Sequence, residues 1–330
     1  MINNNLMNQL NNKGILTNLR VYDSANATLP NNVIGAGILT ALSQKVLNSI
    51  LAKRSADELI GTRNKLLDFG DHEYAVPFIE TLGATTPYGD YINPLSSDIN
   101  LSFNRIGHYR FTTLYKIGTL EAEQLGKSRV EAQEMKLNAA LNALSIEFNR
   151  VAFHGYVHNN AYLVYGLLND PKLSAAEAAP KKFNTMSYQE LVSFFANAIS
   201  KLSKQSGNNI NVNSKIKVGI PPQALAILNS ITPDANNAFT ALNALKNSYP
   251  NIEFISAVEL ESENGTSDML VLIGESEAGG ITDTAELGYS EFARAGNLVI
   301  GLHSTEQALD TGTVGAVIYK PDFIVRYTGI

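Results

Sequence analysis

The chain has no cysteine. Disulfides, thiolate nucleophiles and cysteine-held zinc or iron–sulfur centres are excluded, and folding is indifferent to the redox state of the compartment. Charge is sparse as well. Asp, Glu, Lys and Arg make up 17 % of the 330 residues, against about 25 % in an ordinary soluble domain. Asparagine, serine and threonine fill the gap. A weakly charged surface loses little on desolvation, which suits a protein that buries much of itself against partners. The net charge is −6 and no run of five basic residues occurs, which argues against sequence-specific nucleic-acid binding. No apolar run approaches the ~18 residues of a membrane span, so no membrane partner is expected. The opening MINNNLMNQLNNKG lacks a basic start followed by an apolar core, so no export signal is expected. The N-x-S/T matches at Asn26 and Asn264 then carry no meaning.

What is present has a clear order. The length suggests two lobes or one elaborated domain. Ten of the first 32 residues are asparagine, without helical or strand period, and read as an arm held by a neighbour. Leu39, Leu42, Val46, Leu47, Ile50 and Leu51 recur at three- and four-residue steps, an amphipathic helix ending before Gly61. EYAVPFIETL and DINLSFNRI read as strands about 15 residues apart, joined by the turn-rich GATTPYGDYINPLSS. HYRFTTLYKI follows in the same style. Such a hairpin is marginal alone and needs a surface to lie on.

From Thr119 to about His154 the pattern is helical without proline. Leu137, Leu141, Leu144, Phe148 and Val151 share one face, Glu121 and Glu123 crowd the start as the helix dipole favours, and the length is on the order of 50 Å. The remainder alternates helices (Ser187–Ser203, Pro222–Ser230, Asn236–Ser248) with strands (Lys215–Ile220, Ile252–Val258, Met269–Ile273, Leu298–Leu302). This part is an α+β or α/β lobe, and the fold class expected of the whole chain is α+β. The closing GAVIYKPDFIVRYTGI reads as a strand interrupted by Pro321, at an edge or a bulge.

His154 and His158 have the spacing that lets two imidazoles share a metal. However, the metalloprotease pattern needs glutamate after the first histidine, and Gly155 stands there and predicts the helix stop. GAGILTA (Gly35–Ala41) has threonine where a dinucleotide fingerprint needs its third glycine. The acidic run Glu259, Glu261, Glu263, Asp268 lacks calcium-loop spacing. No G-x-S-x-G and no phosphate-binding glycine–lysine loop occurs. No enzyme, cofactor or metal is expected.

The order of arm, extended hairpin loop, long helix, mixed lobe and returning strand resembles the major capsid proteins of tailed bacteriophages, the Hong Kong ninety-seven type fold. More narrowly, it resembles a capsid family once catalogued as a domain of unknown function. Three stretches carry this: LEAEQLG (Leu120–Gly126), GYVHNNAYLVYGLLNDP (Gly155–Pro171) and the closing GAVIYKPDFIVRYTGI. The resemblance implies an N-terminal arm (1–35), a helix region (36–70), an extended loop (71–117), a spine helix with peripheral domain (118–184), an axial domain (185–304) and a C-terminal strand of the peripheral domain (305–330).

By the same resemblance the loop tip, Thr85, Thr86, Pro87, Tyr88, Asp90 and Tyr91, would touch adjacent subunits. Glu121, Glu123, Leu137, Leu141 and Phe148 would mark the spine helix, and Gly155, Gly166, Asn169 and Pro171 the turn from helix to hairpin. The implied function is a virion coat subunit, assembled in the host cytoplasm into pentamers and hexamers of an icosahedral or elongated head. Its partners would be other copies, a portal, possible separate scaffold and decoration proteins, and packaged double-stranded DNA held non-specifically. The arm is short for a fused, cleavable scaffold, so none is expected. The alternative is an encapsulin-like compartment shell subunit, and a third reading is an enzyme using His154 or His158.

Overall fold

The computed structural model describes residues 54–90, 93, 95–127, 132–233, 239–261, 268–277 and 280–330. The arm, the periodic helix at Leu39–Leu51 and the tip residue Tyr91 lie outside the described residues. A short helix α1 (Ala56–Leu59) and strand β1 (Arg63–Lys65) come first.

Strands β2 (Glu73–Leu82) and β3 (Asp98–Gly107) pair antiparallel along their whole length, from Glu73 opposite Gly107 to Leu82 opposite Asp98. Beyond the root almost every residue of this hairpin is exposed. The third strand of the sequence pattern, β4 (Tyr109–Gly118), departs from expectation. The expected boundaries place it in the extended loop (71–117), but it pairs residue for residue with β14 (Ser304–Ile318), from Tyr109 opposite Thr313 to Gly118 opposite Ser304. The reason is burial: Tyr115 and Phe111 pack with Leu309 and with Leu137, Ala140 and Leu144 of the long helix, giving β4 an apolar face that the hairpin lacks.

β14 is the spine of a six-stranded sheet. It pairs with β4 on one side and, on the other, with β11 (Ala285–Tyr289), β12 (Arg294–Ala295) and β13 (Val299–Ile300), while β1 adds parallel to β11. Helices α2 (Thr119–Lys127) and α3 (Ala132–His154) follow β4. They occupy the stretch expected as one helix, with residues 128–131 outside the described set. The expected face is the packed one. Leu144, Phe148 and Val151 are buried, and Leu137 and Leu141 are partly so.

Small strands β5 (Tyr156–His158) and β6 (Ala161–Val164) and the two-residue β7 (Glu177–Ala178) lead to the second sheet, ordered β7-β15-β10-β8-β9. Its other members are β8 (Lys215–Ile220), β9 (Ile252–Ser256), β10 (Met269–Glu275) and β15 (Ile324–Thr328). Helices α4 (Tyr188–Gln205), α5 (Pro222–Ser230) and α6 (Ala241–Ser248) contribute to its core, which includes Leu191, Phe195, Leu202, Val218, Leu272 and Val325. Ser187 and Glu190 close a reciprocal capping box on α4, so two of its orphan amides are satisfied at once.

The two sheets cut across two of the expected boundaries. The C-terminal strand, expected in the domain of the long helix, splits: β14 lies in the six-stranded sheet, but β15 lies between β7 and β10 in the five-stranded one. β11, within 185–304, belongs to the six-stranded sheet. Pro321 is at neither an edge nor a bulge. It opens the 3-10 turn Pro321–Phe323, which carries the chain from one sheet to the other. The strand expected at Leu298–Leu302 shrinks to Val299–Ile300, and α6 begins only after Thr240, whose hydroxyl accepts from the Asn243 amide. A core of Phe148, Phe153, Leu167, Val271, Leu287, Ala316 and Ile324 draws residues from the long helix and both sheets.

Candidate assembly interface

Alternation decides which hairpin residues share a face. Residues directly opposite on antiparallel strands point the same way. Tyr74, Val76 and Ile106 therefore lie on one face, and at the root they pack on Leu67, Val314 and Val317. The other face carries Pro77 opposite Phe103, Ile79 opposite Leu101 and Thr81 opposite Ile99. At the tip Thr85, Thr86, Pro87, Tyr88 and Asp90 are all exposed, Tyr88 to 94 %. The Tyr88 hydroxyl donates to Asp90 at 3.0 Å and the Leu95 amide to Thr86 Oγ1 at 3.2 Å, local bonds that shape the tip without burying it.

The root is fixed where β3 gives way to β4. His108 is buried there, its Nδ1 2.7 Å from the Asp71 carbonyl oxygen and its Nε2 3.0 Å from Ser290 Oγ. Burial pushes its pKa down, and the Arg110 guanidinium, which donates to the Phe69 carbonyl at 2.7 Å, adds to that. The next ring, Tyr109, stacks on Tyr156 with centroids 3.7 Å apart, and burial pushes it up to about 12. A side chain at Gly107 would meet the Leu163 carbonyl oxygen at 2.5 Å, so the small β5–β6 hairpin presses directly on the root of the large one.

At the start of α2, Glu121 pairs with Lys136 of α3 at 2.6 Å, and this hydrogen bond holds its carboxyl below the usual range. Lys136 also donates to the Lys116 carbonyl, so one ammonium ties both helices to β4. Glu123 is exposed.

The C-terminus of α3 shows why glycine and asparagine stand where they do. The last carbonyls of a helix have no partner within it. Here Val151 O accepts from Gly155 N, Ala152 O from Leu167 N and Phe153 O from Leu168 N, each within 2.9 Å. The Asn169 side chain donates to His154 O and accepts from Gly166 N. The GLLN run thus caps the helix it has turned back on. Gly155 has φ +67°. Side chains at Gly155 and Gly166 would overlap Val164 O and Phe153 O respectively. Asn159 and Asn160, both at positive φ, make the two-residue turn between β5 and β6. Pro171 is exposed at the end of this segment. His154 ends α3 and His158 ends β5, on either side of that reversal. Among the described residues no group of three or more histidine, aspartate or glutamate side chains is placed to hold a metal, and no helix is long and apolar enough to cross a membrane.

Sequence reading missed three features. His108 opens the pattern HYRFTTLYKI and carries no signal of its own there. Arg326 donates to the Leu168 and Ser174 carbonyls and locks the capping segment to β15; its only trace was a charge amid aliphatics. The run Leu298–Leu302 was read as a strand, but most of it is an exposed tip, with Leu302 97 % exposed.

Comparison with known proteins places this geometry. No curated protein matches the chain. Among solved structures, the capsid of the myovirus phage XM1 superposes with a TM-score of 0.76 at 13 % identity, covering 91 % of this chain and all of that one. The capsid of an empty GTA particle gives 0.60 at 10 %, covering 89 % and 96 %. Gordonia phage Cozz gives 0.56 at 14 %, covering 94 % and 95 %. The shared fold is that of tailed-phage capsid proteins. Residues 25–329 match the sequence profile of the Pa193 gp26 major capsid protein, and with nearly its whole length matched the chain belongs to that capsid protein family.

Proposed function

We propose that this phage coat subunit assembles into pentamers and hexamers that close a head around double-stranded DNA, with the hairpin of each copy lying over the next. The observation that carries this is the hairpin itself. Ten residue pairs are built into two strands whose side chains are almost all exposed beyond the root. A two-stranded ribbon is at best marginally stable in water, so its stability must come from a surface that another copy supplies. Low charge agrees, because covering such a surface desolvates little. The protein is then a component of the virion, put together in the host cytoplasm, with a portal and any scaffold or decoration protein as further partners. DNA contact would be non-specific and weakened by salt.

The test is electron microscopy of the expressed chain and of virions that contain it. Shells with five-fold and six-fold capsomers are expected. A chain that stays monomeric under every assembly condition, and is found in no particle, would sink the proposal.

A further inference from the structure

The two faces of the hairpin are chemically unequal. On the face that roots on Val314 and Val317, the outer pairs set an apolar residue or a charge against a polar one: Phe78 with Ser102, Glu80 with Asn100, Leu82 with Asp98. On the opposite face, Ile79, Ile99, Leu101 and Phe103 form a row without charge, each 53–66 % exposed. Its only ion pair, Glu73 with Arg105 at 3.7 Å, sits at the root.

Outside the hairpin, the two most exposed aliphatic side chains among the described residues, Leu302 and Ile300, stand on a second uncharged apolar projection, Leu298–Leu302 at the β13–β14 turn. Leu298, Val299, Ile300 and Leu302 are exposed there. The Thr119 amide bonds to His303 O and brings exposed Leu120 alongside. Nothing among the described residues covers either patch. They also start from opposite ends of one ladder. The hairpin springs from the Tyr109–Thr313 end, and the apolar turn lies at the Gly118–Ser304 end, about 30 Å away along ten paired residues.

Resting on the reading as a coat subunit, we infer that the Ile79–Leu101 face, and not its opposite, is the face that lies on a second copy, and that it seats on that copy's Leu298–Leu302 turn. Two different patches of one chain that meet between copies make a heterologous contact, the kind that closes into rings. The row presents on the order of 400 Å², about half of a standard interface on one partner. One such contact is weak, and many in a closed shell are cooperative. That magnitude suits subunits that stay soluble until they assemble.

The absence of cysteine makes the test clean. In assembled material, the double variant Leu101→Cys with Ile300→Cys is oxidised and run without reductant. A ladder of covalent multimers is expected, at least tenfold stronger than from Ser102→Cys with Ile300→Cys, which puts the thiol on the other face. Particles without a ladder, equal ladders from both pairs, or a bond within one chain that leaves its mass unchanged would each overturn the inference and leave the coat function standing. Failure of the unaltered chain to form particles would instead overturn the coat function. Should the cysteine pairs not assemble, lysine at Ile99 and Leu101 is compared with lysine at Asn100 and Ser102. The first pair is expected to cut particle yield at least tenfold relative to the second with unchanged melting of the free subunit, and equal yields refute the inference.

Discussion

Replacing Gly155 with alanine separates two explanations of the turn behind the long helix. If backbone conformation were the whole reason for glycine, the effect would be small. Holding alanine at φ +67° costs about 1–2 kcal/mol, and the stiffer unfolded chain returns about 0.4–1 kcal/mol. Space gives a different answer. The new Cβ would overlap Val164 O, with Gly166 N at 3.0 Å and Tyr165 C at 3.2 Å, all of it backbone. Relief requires moving Val164–Gly166 outward, and that strains the bonds from Leu167 and Leu168 to the helix carbonyls, worth about 1 kcal/mol each. The sum is a loss of about 3 kcal/mol, which at about 2.1 cal/mol/K of unfolding entropy per residue lowers the melting temperature of a 330-residue chain by roughly 4 °C. The assay is thermal melting of the unassembled subunit followed by circular dichroism. Asparagine at 155 is the discriminating variant. It tolerates left-handed backbone but carries the same Cβ, so it is expected to fall nearly as far as alanine. Asparagine within about 0.5 kcal/mol of the parent, a shift too small for a named packing defect, would refute the steric argument, and a neutral alanine variant would refute both.

Asn169→Ala removes the acceptor for Gly166 N and the donor to His154 O, and a loss of about 2 kcal/mol is expected in urea titrations; Asn169→Asp keeps the acceptor but faces the carbonyl with a carboxylate, so rescue by aspartate would contradict the capping role. In Glu190, a hydrogen bond from Lys181, with further bonds from Ser187, lowers the pKa from 4.5 to about 2. This depressed carboxylate contributes stability above pH 4.5 that is lost as pH falls towards 2. The Glu190→Gln variant is expected to lack that dependence in guanidinium midpoints between pH 5 and 2, and parallel curves would refute it. His108 has its pKa lowered by burial, so the unfolded chain takes up a proton below about 6.5 before the folded one does. The melting temperature is therefore expected to fall as pH drops from 7.5 to 5.5, less steeply in His108→Gln. The protection of the Gly107–Tyr109 amides, taken as the observed exchange rate against the intrinsic rate at each pH, should fall over the same range, and unchanged protection would show that the root does not depend on the neutral ring.

What was legible in the sequence was local. Period-2 and helical patterns placed β2, β3, β8 and α5 almost to the residue, because alternation and amphipathic spacing follow from the element's own geometry. The stop at Gly155 was legible because glycine followed by turn formers has few other uses. The sheet to which a strand belongs was not written locally. β4 and the hairpin share β-branched and aromatic composition, and only the partner across the ladder, some two hundred residues away, separates them. The same holds for the C-terminal stretch. Pro321 announced a break, but a break between two sheets and a bulge within one look alike in sequence.

The assembly surfaces were hidden for a related reason. DINLSFNRI and LVIGL read as strands because apolar, β-branched residues fit a half-buried pleat. In this fold neither is half-buried by its own chain: Ile99 and Leu101 face solvent on the hairpin, and Ile300 and Leu302 at the turn. Residue type records that a side chain will be buried, not by which copy. A monomeric domain would place these apolar residues on its own core, as β4 does with Phe111 and Tyr115. A stretch that has strand composition but no core of its own is therefore the sequence-level sign of a surface completed by another subunit. In this chain the alternation of Ile99, Leu101 and Phe103 with Asp98, Asn100, Ser102 and Asn104, on a hairpin with no core beneath its outer part, is that sign.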